Sequence, residues 1–499
     1  MPRLGPGHTL RHMSSRTARD VRASLGHPVI DADGHTIEVT QVLLDYLDEV
    51  GGPAIVDAYR RFPVKRQFRL TGDAAHATAD SGSWVWPTRN TLDRATATLP
   101  KLYAARLEEF GIDFAIVYPS EGLFAPQIGD TDLRLAACRA YNRYVADAFR
   151  PHATCLTPAA VIPCHSPEEA VTEMRYAVRE LGLKAVVLRS FVKRPADGPG
   201  AERLDFLALG SDDDYDPLWA ACRDLGVAAT FHSSATYGGR NQIQNYSYNH
   251  IGILAAGGEA IAKALFMGGV TKRFPGCNFA FLEGGVGWAV NLFADLVGHW
   301  QRRSAGRIDA YDPANLDHAL FMQLLEEHGE PRVLAHLDEL RAMFGRTQPD
   351  VAQRDNFAAV SMHDAREMLD LFVAPFWFGC EADDPMNAHA FDRAVNPFGA
   401  ALQAVFGSDN AHWDVTDMNE VLVEAHESVD RGLITEDDFR SFVFTNPVAL
   451  HAGMNRGFFR GTNVEHAVDR LLGPEVARAG SDQRTVGSTS SISKPSRSS

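Results

Sequence analysis

A chain of 499 residues, 45% hydrophobic and 22% charged, is long enough for one large domain or two and has the balance of a soluble globular enzyme. Its formal net charge of −16 excludes a general nucleic-acid binder, though not a local basic pocket for an acidic small molecule. The absence of any apolar run of about 18 residues excludes a membrane-spanning helix, and six cysteines without a C-x-x-C pair fit reduced, buried thiols in a cytoplasmic protein.

Residues 1–26 carry Arg3, Arg11, Arg16, Arg19 and Arg22 but no apolar stretch, so the reading is a disordered extension rather than a secretory signal. At the other end, 475–499 is rich in Ser, Thr and Gly. It has too little apolar area to offset the entropy of ordering and reads as a disordered tail. Between them, 27–474 reads as one domain.

Within that domain eight short apolar runs read as strands: Val29–Asp33, Phe114–Tyr118, Leu156–Ile162, Ala185–Leu188, Ala228–Phe231, Phe279–Leu282, Pro375–Phe378 and Ala404–Phe406. Most are continuously apolar rather than alternating, as strands covered on both faces require. Helical patterns lie between several of them, including Leu133–Phe149, Pro167–Leu181 and Pro217–Leu225. The last two start on Pro after Ser166 and Asp216, a sensible cap and first-turn pair. Eight such units predict an α/β fold of the (β/α)8 TIM-barrel type. Two intervals are too long for a single helix, so helical insertions are expected after strands one and six. The later one, about Val297 to Leu371, contains polar helices at Asp317–His328 and Pro331–Phe344 and is expected to form a lid or an oligomer contact. Asp414–Asn446 reads as a helical stretch that closes the fold.

Several strands end in polar groups. Asp33 and His35, two apart on strand one, are expected on one side at the C-terminal mouth. His232 ends strand five, Glu283 ends strand six and Asp409 ends strand eight. Asp33, His35, His232 and Asp409 form a mixed nitrogen and oxygen donor set for one divalent metal, with Zn²⁺ first and Mn²⁺ or Fe²⁺ also suited. Such an ion would lower the pKa of a water or polarise a substrate oxygen, while Asp409 moves a proton. Glu283 reads either as a functional carboxylate or as a cap accepting N–H bonds from Gly284 and Gly285. His250, beyond strand five, is placed to orient a substrate or donate a proton, and His412 to support Asp409. Asp31 reads as structural. Asp383 or Asp384, ahead of Pro385, reads as a helix cap. Among Arg60, Arg61, Arg66 and Arg69, one is a candidate partner for a substrate carboxylate. Trp84, Trp86 and Tyr103 are candidate pocket walls, with core packing as the default.

The order D-x-H on strand one, His on strand five and G-S-D on strand eight resembles the amidohydrolase superfamily. Together with Gly268–Pro275 before strand six and Gly407–Asp414, it is similar to the branch that includes aminocarboxymuconate-semialdehyde decarboxylase and aromatic-acid decarboxylases. The resemblance implies a metal-dependent hydrolase acting on a small cyclic or aromatic compound through an activated water, with Asp409 as base. The alternative is a non-oxidative decarboxylase or cyclase of an aromatic or enoic acid. It also implies a small-molecule, carboxylate-bearing substrate and a homodimer. Two positions depart from the family pattern: Asp33 stands where its hydrolases commonly have His, and Glu283 where His usually follows strand six. Strand four ends in Arg189 and Ser190 with no bridging Lys, so one metal is expected rather than two.

Overall fold

The computed structural model describes residues 16–61, 90–198, 200–232, 246–304, 306–344, 355–410 and 412–474. Eight parallel strands form one sheet in sequential order: β1 (Ile30–Thr36), β2 (Phe114–Pro119), β3 (Leu156–Val161), β4 (Ala185–Leu188), β5 (Ala229–Phe231), β6 (Phe279–Phe281), β7 (Phe376–Glu381) and β8 (Gln403–Gly407). The sheet curls until its first and last strands meet. The Asp409 N–H donates to the Asp33 carbonyl (3.0 Å) and the His35 N–H to the Asn410 carbonyl (3.2 Å). The result is a (β/α)8 barrel. Nearly every strand residue is buried, as expected of strands packed on both faces.

Helix starts follow local chemistry. The Asp130 side chain accepts from the Leu133 N–H to begin Thr131–Phe149, and Ser166 accepts from the Glu169 N–H to begin Pro167–Arg179 with Pro167 in the first turn. Asp216 departs from expectation. It is the first residue of Asp216–Leu225 rather than its cap, and its carboxylate holds Arg273 at 2.7 and 2.8 Å instead.

Three further features depart from the sequence reading. The extension expected to be disordered over 1–26 contains a helix, Ala18–Ser24. Thr17 and Asp20 form a reciprocal cap on the helix Ala18–Ser24, Ala18 and Val21 are buried, and Arg22 forms a double hydrogen bond to Asp113 at 2.6 and 3.0 Å. Residues 1–15 and the expected tail at 475–499 lie outside the described residues. A short antiparallel hairpin, Val192–Pro195 with Glu202–Asp205, follows β4 and was not expected; its strands are mostly polar and half-exposed, so no apolar run marks them. The stretch Pro331–Phe344 is two helices, Pro331–Leu334 and Leu337–Phe344.

Helices do follow β1 (Thr40–Arg61, broken at Gly52, then Thr91–Thr98 and Pro100–Phe110) and β6 (Gly287–Arg303, then His318–His328 and the pair above). All six cysteines are buried and free. Among the described residues no helix is long and apolar enough to cross a membrane.

Candidate metal centre

The site begins with a kink in β1. Its register against β2 shifts between Asp31 and Gly34. Asp31 turns away from the mouth and accepts from the Ser408 hydroxyl (2.5 Å) and N–H (3.0 Å), the structural role expected of it. Gly34 is required here: a Cβ would lie 2.7 Å from both the Asp31 carboxylate and the Tyr103 hydroxyl. This bend leaves Asp33 and His35 facing the mouth. The His35 Nδ1 lies 3.2 Å from the Pro119 carbonyl. A carbonyl only accepts, so Nδ1 carries the proton and Nε2 presents its lone pair to the centre.

Around that Nε2 stand the other strand ends. It is 3.0 Å from His232 Nε2, 3.5 Å from an Asp33 oxygen and 3.5 Å from an Asp409 oxygen. His232 Nε2 is also 2.8 Å from Glu283 Oε2. Two overlapping donor sets result: Asp33, His35 and His232, and His35, Glu283, Asp409 and His412, the donor atoms of each lying within 4.8 Å of one another. His35 belongs to both. All six residues are buried. Glu283 and Asp409 both adopt left-handed backbone, at φ 56° and 47°, a conformation that costs a non-glycine residue about 1–2 kcal/mol.

The electrostatics are those of a centre short of positive charge. Burial, then His412 and His232, hold the His35 imidazole well below its usual range. Burial likewise depresses His232, opposed by Asp33, and His412, helped by His232 and His250. Three neutral imidazoles therefore meet three carboxylates that repel one another. Burial, followed by neighbouring carboxylates in the latter two, pushes Asp33, Glu283 and Asp409 well above the ordinary carboxylate range. The first opposing influence on Asp33 is His232. Asp33 Oδ1, Glu283 Oε2 and both Asp409 oxygens are buried without an aligned hydrogen bond. Orphaned oxygens and imidazole lone pairs converging on one point fit a single divalent cation, which reverses the carboxylate shifts.

The structure thus brings together Asp33, His35, His232, Glu283 and Asp409. It gives Glu283 no capping role, since the Gly285 N–H donates to the Gly379 carbonyl. His250 stays outside the cluster. It ends the helical turn Tyr246–His250, its ring lies edge-on to Trp413 at 5.7 Å, and Asp414 acts on its charge. His412, expected only as support, contacts Asp409 directly and lies within the donor set. On the β7–β8 side of the mouth stand Glu381, which burial and then Asp414 and Glu283 push up to about 8, and the largely buried Asp414. Asp384 is a cap, accepting from the Met386 N–H. Arg60 is exposed and paired with Asp57 at 3.6 Å, and Arg61 is exposed. Arg66, Arg69, Trp84 and Trp86 lie outside the described residues. Tyr103 is a buried core residue.

Comparison with known proteins adds three findings. A family profile described as Amidohydrolase matches residues 111–348, a segment that contains His232 and Glu283 but neither Asp33 and His35 nor Asp409. No curated protein sequence matches the chain. Among solved structures, an amidohydrolase from Mycobacterium avium subsp. paratuberculosis K-10 is similar in fold, with a TM-score of 0.52 at 17% identity over 86% of this chain and 100% of that one. Weaker likenesses include 5-carboxyvanillate decarboxylase from Novosphingobium aromaticivorans, solved with manganese (TM-score 0.45, 13% identity, 84% of this chain and 96% of that one). Another is 4-oxalomesaconate hydratase from Rhodopseudomonas palustris (0.45, 12%, 89% and 100%).

Proposed function

For a chain whose residues 111–348 match the Amidohydrolase profile, we propose that the cluster at the barrel mouth is a one-metal catalytic centre and that the enzyme hydrolyses a small cyclic or aromatic compound. The observation that carries this reading is Asp409. Both of its oxygens are buried and lack an aligned hydrogen bond, and it stands beside His35 and His412.

Asp33, His35, His232 and Asp409 are the residues that would hold the ion, with Glu283 and His412 close enough to take part. Zn²⁺ is the first assignment from this donor set, with Mn²⁺ and Fe²⁺ next. When bound, a divalent ion supplies Lewis acidity, lowering the pKa of a water or polarising a substrate oxygen. The chain's own groups do the rest. The Pro119 carbonyl fixes the His35 tautomer. One Asp409 oxygen is free to take a proton from the attacking water and pass it to the leaving group. Glu283, facing His232, tunes the charge of the centre, and substrate contact is the role we assign to His250, outside the cluster.

A second reading, non-oxidative decarboxylation or cyclisation of an aromatic or enoic acid, is favoured by one observation: the first donor on β1 is the carboxylate of Asp33. In that chemistry Asp409 delivers its proton to carbon. The two readings are separated by assaying CO₂ release from hydroxybenzoates against hydrolysis of amides and lactones. Purified protein is expected to retain close to one Zn²⁺, Mn²⁺ or Fe²⁺ per chain. Asp409→Asn is expected to keep the fold and lose about 10²–10⁴-fold in kcat. Protein that holds no metal and gains no activity from added Zn²⁺ or Mn²⁺ refutes both readings.

A further inference from the structure

The opposite side of the mouth has a different chemistry. Leu188 pairs with Phe231 across β4 and β5, so Arg189 leaves β4 at the level where His232 leaves β5. Arg189 is only 9% exposed, its guanidinium lies over the Phe191 ring at 5.0 Å, and Phe191 packs against Phe206 of the hairpin. Among the described residues no Asp or Glu forms an ion pair with it. The neighbouring arginines differ: Arg134 is held by Glu169 and Arg194 by Asp205 and Asp213. Residues 233–245, which follow β5 and His232, contain no Asp or Glu. Burial pulls the Arg189 guanidinium down to about 10, opposed by the Cys164 thiol.

Within its electrostatic reach lies His165, four residues beyond the end of β3. Its Nδ1 is buried without a hydrogen-bond partner, and its imidazole is pushed down to about 4 by burial, then by Arg134, Arg194 and Arg189. A buried cation without a counter-ion is costly, and in folded proteins such a charge is paired or held for a ligand. Among the described residues the mouth is therefore polarised, with carboxylates over β6–β8 and, over β3–β4, a guanidinium that no Asp or Glu pairs.

We propose that Arg189, with His165 within its electrostatic reach, is the subsite for a substrate carboxylate that does not itself react. The substrate is then a carboxylate-bearing small molecule whose reacting bond lies at the His35–His232–Asp409 cluster while its anion sits on Arg189. If the reaction is a decarboxylation, the substrate is a dicarboxylate. Adjacent strands are about 4.8 Å apart, so an arginine side chain and a single aromatic ring span the two positions. The planar guanidinium matches a carboxylate with two parallel hydrogen bonds. This inference rests on the one-metal reading for the position of the reacting end, but not for the anion subsite itself.

The test is isothermal titration of the full-length protein, with and without added Zn²⁺ or Mn²⁺, using benzoate, isophthalate and fumarate, each paired with its neutral amide. The wild type is expected to bind at least one carboxylate about tenfold or more tighter than its amide. Arg189→Met is expected to abolish that preference while metal content stays at the wild-type level. Arg189→Lys keeps the charge without the fork and is expected to recover part of it. A wild type with no carboxylate preference across the panel overturns the proposal. So does an undiminished preference in Arg189→Met or, should that variant not fold, in Arg189→Lys. Loss of the one-metal reading appears separately, as protein without metal that still prefers carboxylates through Arg189.

Discussion

At the scale of single residues, Glu283 is the most informative departure from the pattern of the family the sequence resembles. Its left-handed backbone and its place 2.8 Å from His232 put a third carboxylate into a cluster that already holds Asp33 and Asp409. A carboxyl whose folded pKa is raised destabilises the fold once the pH is high enough to ionise it in the unfolded chain, and the penalty disappears as the pH falls and the group is protonated. Burial raises Glu283 in this way. Glu283→Gln keeps the shape and removes the charge. The expected outcome is a higher Tm than wild type in chelator-treated protein at neutral pH, and a smaller Tm gain on adding Zn²⁺ or Mn²⁺. Thermal scans of both forms read both signs, and a variant whose metal-free Tm drops contradicts the account of crowded carboxylates.

At the scale of elements, the barrel mouth depends on how closely β8 approaches β1. A Cβ at Gly407 would lie 2.9 Å from the Cβ of Asp33 and 3.5 Å from the Asp33 and Cys380 carbonyls. The backbone there is ordinary, so the need for glycine is purely steric. Gly407→Ala is expected to cost about 1–3 kcal/mol by overpacking and to lower metal stoichiometry by pushing Asp33 aside. Gly129→Ala, where nothing lies within 4 Å, serves as the control expected to change neither. Denaturant titration and metal analysis decide it.

The same scale shows what was readable beforehand. The eight strands were legible because each is a buried apolar run, and Asp33, His35, His232, Glu283 and Asp409 were legible because each directly follows or ends one. His412 and Asp414 were not assigned to the centre. They sit on the loop after β8, whose turn brings His412 back onto Asp409, and no periodicity encodes a loop. Arg189 was noted only as a missing lysine, since pairing lies in space rather than along the chain. The helix Ala18–Ser24 had a signal that was passed over: Thr17-Ala18-Arg19-Asp20 is a variant of the capping box, with Asp in place of Glu.

For the whole molecule, acid sensitivity has a source far from the mouth. His451, on the helix Asn446–Ala452, is buried against Phe458 with ring centroids 4.4 Å apart, and its Nε2 has no partner. Burial pulls it from 6.5 down to about 3. The unfolded chain therefore binds a proton there below about 6.5 that the folded chain refuses until about 3. Stability falls as the pH drops through that window, with a limiting slope of about 1.4 kcal/mol per pH unit from this one group. His451→Gln is expected to flatten the loss of stability between pH 7 and pH 4 relative to wild type, measured by urea unfolding at several pH values. An unchanged slope assigns the sensitivity elsewhere.

The burial of all six thiols has a practical consequence for handling the protein. None is paired and none is on the surface, so a thiol-alkylating reagent has nothing to attack until some part of the barrel opens. The cysteines are spread along the fold, with Cys138 on the helix Thr131–Phe149, Cys164 after β3, Cys222 on the helix Asp216–Leu225 and Cys380 within β7. Their alkylation rates form a set of built-in clocks, each timing the exposure of its own stretch of the barrel without any introduced label.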